Sequence, residues 1–187
     1  MDTISLEGGF ANAAVDAAHA FRAAMRAMAR PGEIETVSGA MPPAPLSVAA
    51  GALVLTLCDP DTPVYLADSH DTQAVRDWIT FQTGAPFAAR AEAMFAIGSW
   101  EALAPQTDYP IGTAEYPDRS TTLIVETDRL EAVGATLSGP GIREKVALSL
   151  PNSPFFVQNH ALFPQGLDMF FTCGDRLAGL PRSTKVT

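Results

Sequence analysis

The chain has 187 residues, 47% of them apolar and 18% charged, which is typical of one soluble globular domain with a sizeable core. Twenty-one acidic residues against twelve basic ones give a formal net charge of −9, which opposes binding to nucleic acid or to an anionic membrane surface. The longest apolar run, residues 46–58, is too short and too polar to span a bilayer. Because the N-terminus lacks the pattern of a secretory signal, we expect a cytoplasmic protein.

The first predicted element is a helix over residues 12–29. Asn12 can cap its start, and Pro31 with Gly32 ends it, because the residue before a proline is pushed out of the α region. Apolar residues recur along it at steps of three and four, namely Ala14, Ala18, Phe21, Met25 and Met28. This spacing predicts one apolar stripe, and we expect Phe21, Met25 and Met28 to pack inward.

The rest of the chain alternates short apolar strands with helices. Further helices are predicted over residues 46–57, 71–83 and 152–163, and strands over residues 34–37, 64–67, 93–97, 121–127, 134–138, 167–171 and 177–180. Three prolines and a glycine predict a long exposed loop at residues 105–118. The alternation favours a single α/β domain spanning residues 1–187, a three-layer α/β/α arrangement around a mixed sheet. The late strands lie close together in the sequence, which favours antiparallel pairing there.

Motifs for self-contained catalysis are missing from the sequence. The three histidines, His19, His70 and His160, show no zinc-ligand spacing, and no metal is expected. Ser99 lacks the flanking glycines of a hydrolase nucleophile, and neither a dinucleotide nor a Walker phosphate loop is present. Cys58 and Cys173 each end an apolar run, so we interpret them as buried small hydrophobic residues. The catalytic residues, if any, stay unassigned.

Three segments combine turn residues with cationic side chains: residues 112–122, 139–145 and 180–184. Each lies near a predicted strand end, where open α/β sheets bind ligands. Arginine and lysine side chains, aided by loop amides, can bind an anion there. The candidates for anion or partner contact are Tyr116, Arg119, Arg143, Lys145 and Arg182. In the alternative interpretation the glycines only form turns and the arginines pair with acidic neighbours such as Glu115, Asp118 and Glu144.

A series of short motifs runs along the chain. The first are Gly8-Gly-Phe and Phe21-Arg-Ala-Ala-Met-Arg-Ala-Met-Ala-Arg-Pro-Gly32. Others follow in order at residues 57–63, 81–86, 112–121, 137–142, 163–168 and 180–184, among them Gly112-Thr-Ala-Glu-Tyr-Pro-Asp-Arg-Ser-Thr121 and Leu180-Pro-Arg-Ser-Thr184. Together, from about residue 8 to residue 184, they closely resemble the H subunit of the bacterial phosphonate carbon–phosphorus lyase system, and the series is far more specific than any one motif.

This resemblance implies a fold like the large domain of pyridoxal-phosphate-dependent transferases, without that cofactor. It implies a cytoplasmic homodimer that works with the G, I and J subunits of the lyase system. The family acts where a phosphonate displaces adenine from MgATP, giving a ribose 1-phosphonate 5-triphosphate, before a radical subunit cleaves the carbon–phosphorus bond. No catalytic residue of the H subunit is carried over to this chain.

Two other functions remain open. A pyridoxal-phosphate enzyme needs a Schiff-base lysine, and only Lys145, after a Gly-Pro-Gly turn, and Lys185, near the C-terminus, are present. We therefore expect no cofactor, and a colourless protein. A free-standing anion-binding or scaffold protein without catalysis is the third hypothesis.

Overall fold

In the computed structural model, which describes residues 7–187, six strands form one mixed sheet in the order β1-β8-β7-β4-β3-β2. Their bounds are β1 Glu35–Thr36, β2 Val64–Leu66, β3 Phe95–Ser99, β4 Thr122–Glu126, β7 Asp168–Cys173 and β8 Arg176–Leu180. Strands β2, β3, β4 and β7 are parallel neighbours, and β8 pairs antiparallel with both β7 and β1. The predicted mixed sheet, with antiparallel pairing near the C-terminus, is confirmed.

The sheet lies between two different layers. Three helices cover one face: α1 Ala13–Ala29, α2 Val48–Leu57 and α3 Gln73–Thr83. The other face carries α4 Phe155–Ala161 and a small antiparallel sheet, whose strands β5 Ala135–Ser138, β6 Val146–Leu148 and β9 Lys185–Val186 pair in the order β6-β5-β9. The alternation of strand residues produces both cores: on β4, Ile124 faces the three helices while Leu123 and Val125 face the second layer. The predicted three-layer α/β/α class is confirmed, with a small sheet added to one outer layer.

Side-chain caps set the starts of α2 and α3. The hydroxyl groups of Ser47 and Thr72 accept hydrogen bonds from the backbone N–H groups of Ala50 and Val75, at 3.1 and 3.2 Å. Helix α3 ends at Gly84, whose φ of +72° is the left-handed conformation that glycine adopts without strain. Among the described residues, no helix is both long and apolar enough to cross a membrane.

Helix α1 faces the core with a different side from the one predicted. Its buried residues are alanines: Ala20, Ala23, Ala24 and Ala27. Phe21 and Met25 are 50% and 53% exposed, so the prediction that they pack inward is wrong, and Met28 is half-buried. The reason is the close approach of α1 to β8, where a Cβ atom at Gly179 would lie only 2.7 Å from the Ala27 carbonyl carbon. At this short distance only methyl groups fit between α1 and the sheet. The larger side chains therefore lie at the flank of the helix.

Candidate functional site

The loop that precedes β4 carries two of the predicted contact residues. A short 3-10 turn at Pro117–Arg119 brings the guanidinium carbon of Arg119 to 4.1 Å from the centre of the Tyr116 ring. Both side chains are exposed. Such a cation–π contact at the surface is worth about 0.5–1 kcal/mol and orients the arginine without neutralising its charge. Arg119 therefore presents a cation to solvent.

Arg182 is used inside the protein. Its Nε and one Nη atom donate to both carboxylate oxygens of Asp168, at 3.1 and 2.6 Å. The other guanidinium N–H groups donate to the carbonyls of Pro117 (2.7 Å) and Pro164 (3.4 Å) and to the Ser120 hydroxyl. The Arg182 side chain is only 11% exposed. Since every N–H of the guanidinium has an internal acceptor, Arg182 fastens the loop before β4 to β7 and has no donor to spare for an outside anion.

Arg143 and Lys145 lie on a different surface, in the connection between β5 and β6. Both are exposed, and neither forms an ion pair or a side-chain hydrogen bond with the described residues. Gly141, in the same connection, has a φ of +81° and packs directly against the backbone carbonyl of Ala29 at the end of α1. This β5–β6 connection therefore carries two free cations beside the C-terminal end of α1.

The segment after β8, within residues 180–184, contacts the other two of the three segments singled out above. Through Arg182 it contacts residues 117–120, and a Cβ atom at Gly139 would lie 3.1 Å from the Ser183 carbonyl oxygen. The three segments meet, but at the edge of the sheet where the parallel strands begin, because β8 runs antiparallel to them. The ligand-binding edge of such sheets is the opposite one, where parallel strands end. The contact role of Tyr116, Arg119, Arg143 and Lys145 remains a prediction.

At the opposite edge, the ends of β3 and β4 open into a cavity of about 440 Å³. It is lined by Ser99, Trp100, Glu101, Glu126, Thr127, Asp128, Arg129, Ser149, Leu150 and Pro151. The Trp100 ring stacks on Phe156 of α4, with ring centres 4.9 Å apart. Arg129 is paired with Glu131 at 2.6 Å, whereas Glu101 and Asp128 are exposed and have no such partner among the described residues. The cavity thus offers an aromatic wall and a rim rich in hydrogen-bond acceptors.

Glu126 is the most buried carboxylate of this cavity. One of its oxygens accepts a hydrogen bond from the backbone N–H of Ser47, at the start of α2, at 2.6 Å, and the other accepts from the Thr172 hydroxyl at 2.9 Å. Burial raises the pKa of Glu126 above its ordinary value, although these two hydrogen bonds act in the opposite direction. The sequence analysis missed Trp100, Glu126 and Asp128. The available signal was a pair of carboxylates at the end of a buried strand, Glu126 as its last residue and Asp128 two residues later.

Replacement of Glu126 by glutamine tests the cost of burying that charge. A raised pKa means that the native state binds the proton of Glu126 more tightly than the unfolded state does. The stabilisation that results is fully present below the usual glutamate pKa and is lost as the pH rises through the raised pKa. The glutamine keeps the acceptor for Ser47 and carries no charge. We therefore expect the Tm of Glu126→Gln, relative to the unchanged protein, to rise from pH 4 to pH 8 in thermal melts. A Tm difference that is constant or falls with pH would contradict this.

The lysines, His70 and the cysteines lie outside the cavity at the ends of β3 and β4. Lys145 and Lys185 are both exposed, on the side of the small sheet, and neither lines the cavity. The Nδ1 atom of His70 lies 2.8 Å from the Ser69 hydroxyl, and burial lowers the pKa of His70. Over residues 7–187 no three histidine, cysteine or acidic side chains come together as a metal site. Both cysteines are free, and burial raises the pKa of Cys58 to about 12, which makes this thiol inert.

An apolar groove lies at the edge where the parallel strands begin. It has a volume of about 280 Å³ and is lined on one side by Phe21, Met25 and Met28 of α1. Its other walls are Leu57, Phe95, Thr122, Asp168, Phe170 and Pro181. The side chains that the sequence analysis placed in the core thus form the wall of an open groove. An uncovered apolar groove of this kind is a candidate surface for contact with another molecule.

Comparison with known proteins gives a consistent result. The family model described as bacterial phosphonate metabolism protein (PhnH) matches residues 8–187. The chain is 40% identical to the alpha-D-ribose 1-methylphosphonate 5-triphosphate synthase subunit PhnH of Rhizobium meliloti strain 1021, over 96% of this chain and 94% of that protein. It is 27% identical to HtxG of Stutzerimonas stutzeri, named as a C-P lyase subunit protein, over 89% and 84% of the two chains. The chain therefore belongs to this family.

Proposed function

We propose that this member of the PhnH family is a required, non-catalytic or only assisting subunit of a ribose 1-methylphosphonate 5-triphosphate synthase, in the carbon–phosphorus lyase pathway of the cytoplasm. The observation that carries the proposal is the 40% identity to a subunit of that name over almost the whole of both chains. The proposed partners are the G, I and J subunits. Arg119, Arg143 and Lys145 support an assembly role, because they are exposed cations on a strongly acidic protein.

The β5–β6 connection is the surface on which we place a partner contact. Arg143 and Lys145 are free to pair with acidic groups of another chain, and pairing of opposite charges across an interface speeds association and fixes the partner. Arg182 contributes indirectly, since it holds the neighbouring loop in place. The cationic residues thus have two separate proposed roles: Arg143 and Lys145 contact a partner, and Arg182 supports the loop.

Co-purification tests this proposal. A tagged copy of the chain, expressed in the native host grown on an alkylphosphonate, should recover the G, I and J subunits. The double variant Arg143→Glu/Lys145→Glu should recover at least tenfold less of them, because two attractive contacts become repulsive. Arg76→Ala is the control, as it removes a half-buried cation paired with Asp71 on another surface. Failure of the unchanged chain to recover any of these subunits would contradict the assembly.

We also propose a homodimer for the chain purified alone, with a second copy covering the apolar groove. An isologous dimer places the same patch of both copies in contact, and Phe21 and Met25 are half exposed on α1. The groove would then be removed from water, which favours association.

Light scattering distinguishes the dimer from the monomer. At micromolar concentration the mass should be twice the chain mass of 19.7 kDa. The variant Phe21→Ser/Met25→Ser should shift the mass to that of one chain, because it removes apolar contact area from both halves of the interface. Val15→Ser is the matched control, since Val15 is 47% exposed on the same helix but does not line the groove. A mass near 20 kDa for the unchanged protein, or a dimer that survives the double change, would exclude this interface.

A further inference from the structure

The cavity at the ends of β3 and β4 is the largest of the cavities described above, and the proposed assembly gives it no role. The C-terminal ends of the parallel strands in an α/β sheet, and the loops that follow them, lie at this edge, where ligands bind. A volume of about 440 Å³ falls within the range of small-molecule sites and exceeds what a lone phosphate or amine fills. Its position and its size therefore point to an organic ligand.

One wall of the cavity suits a flat ring. Trp100 is only partly buried, and its stacking on Phe156 and its tilted contact with Phe155, at 5.9 Å between ring centres, fix the orientation of the indole. Leu150 and Pro151 extend the apolar surface beside it. Proteins that bind single-stranded nucleic acid commonly stack the bases on aromatic side chains. A preorganised indole therefore favours a planar heterocycle.

The rim of the cavity selects a ligand that donates hydrogen bonds. Asp128 and Glu101 present free carboxylates, and the Glu126 carboxylate, which has about four acceptor positions, keeps capacity beyond its hydrogen bonds from Ser47 and Thr172. A carboxylate that follows a strand at this edge is a common acceptor for ribose hydroxyl groups. Among the described residues that line the cavity, Arg129 is the one cation, and Glu131 already neutralises it. The lining thus opposes a phosphate group.

We infer that this cavity binds a nucleoside, with the base on Trp100 and the ribose diol on the carboxylates of Asp128 and Glu126. This site is separate from the β5–β6 connection and from the apolar groove. The chain would therefore carry a ligand site at one edge of its sheet and partner surfaces elsewhere.

Fluorescence titration of the purified chain with adenosine tests the inference. Trp100 lines the cavity, whereas Trp78 is fully buried in α3. Adenosine should quench the emission with saturation, and the Trp100→Phe variant should lose the change. Asp128→Ala should weaken binding about tenfold, as for loss of a hydrogen bond to a charged group. Glu92→Gln, an exposed carboxylate outside the cavity, should bind like the unchanged protein.

Further ligands separate the parts of the site. The compound 2′-deoxyadenosine should bind more weakly than adenosine because it lacks one donor to the carboxylates, and inorganic phosphate should not change the emission. The absence of saturable binding up to about 5 mM adenosine would overturn the inference, as would equal affinities of Asp128→Ala and Glu92→Gln. An equal response to phosphate would do the same. Because the titration uses the chain alone, these outcomes are independent of whether partner subunits co-purify.

Discussion

Replacement of Arg182 by alanine is expected to lower the free energy of unfolding by about 3 kcal/mol, the low end of the cost of breaking a buried ion pair. The change leaves the Asp168 carboxylate, only 29% exposed, without its cation. It also removes the donors to the Pro117 and Pro164 carbonyls and to the Ser120 hydroxyl. Urea denaturation of the variant and the unchanged protein measures this difference.

Two further variants show whether the network or the charge matters. Arg182→Lys keeps the charge beside Asp168 but loses the planar fork, and should fall between alanine and arginine. Arg119→Ala removes an exposed arginine whose guanidinium lies over the Tyr116 ring and should cost less than about 1 kcal/mol. If the free energy of unfolding of Arg182→Ala lies within about 0.5 kcal/mol of that of the unchanged protein, Arg182 does not fasten the loop. A role in binding an outside anion would then regain support.

Replacement of Gly179 by alanine is expected to cost about 3 kcal/mol, at the upper end of typical overpacking effects. The new methyl group would lie 2.7 Å from the carbonyl carbon and oxygen of Ala27, so α1 must move away from β8. A helix backbone cannot rotate aside as a flexible side chain can. Guanidinium denaturation gives the free energy, and the loss should appear as a lower midpoint with an unchanged slope.

Gly174→Ala is the control for the general effect of replacing a glycine. Gly174 has a φ of +61° and open space around it, so alanine there meets only the cost of the left-handed conformation, about 1–2 kcal/mol. A loss at Gly179 no greater than that at Gly174 would show that α1 and β8 separate easily. The exposed position of Phe21 and Met25 would then need another explanation.

The order of helices and strands was predictable because long apolar periods and turn residues are local signals. The buried helix α2 and the strands β3, β4 and β7 follow from runs of apolar residues. Strands β6 and β9 were missed, because three and two residues are too few to show a period. Their pairing with β5 depends on contacts between distant parts of the chain.

The facing of α1 shows a different limit. Its sequence contains two apolar stripes, one of alanines and one with Phe21, Met25 and Met28, and hydrophobicity favours the second. The alanine stripe is buried because Gly179, about 150 residues later, lets the helix approach β8 closely. The residues of the candidate site likewise divide into those that the sequence reveals and those that only the fold brings together. The arginine and glycine segments were visible, but the internal acceptors of Arg182 and the assembly of Trp100, Glu126 and Asp128 required the fold.

Growth of a deletion strain on an alkylphosphonate as sole phosphorus source tests the proposed function most directly. A host that lacks this gene should fail to grow on the phosphonate while growing normally on phosphate, and a plasmid copy of the gene should restore growth. The Arg143→Glu/Lys145→Glu variant should restore it poorly, and Arg76→Ala should restore it fully. Normal growth of the deletion strain on the phosphonate would contradict a required subunit, as would turnover of ATP and phosphonate by the purified chain alone.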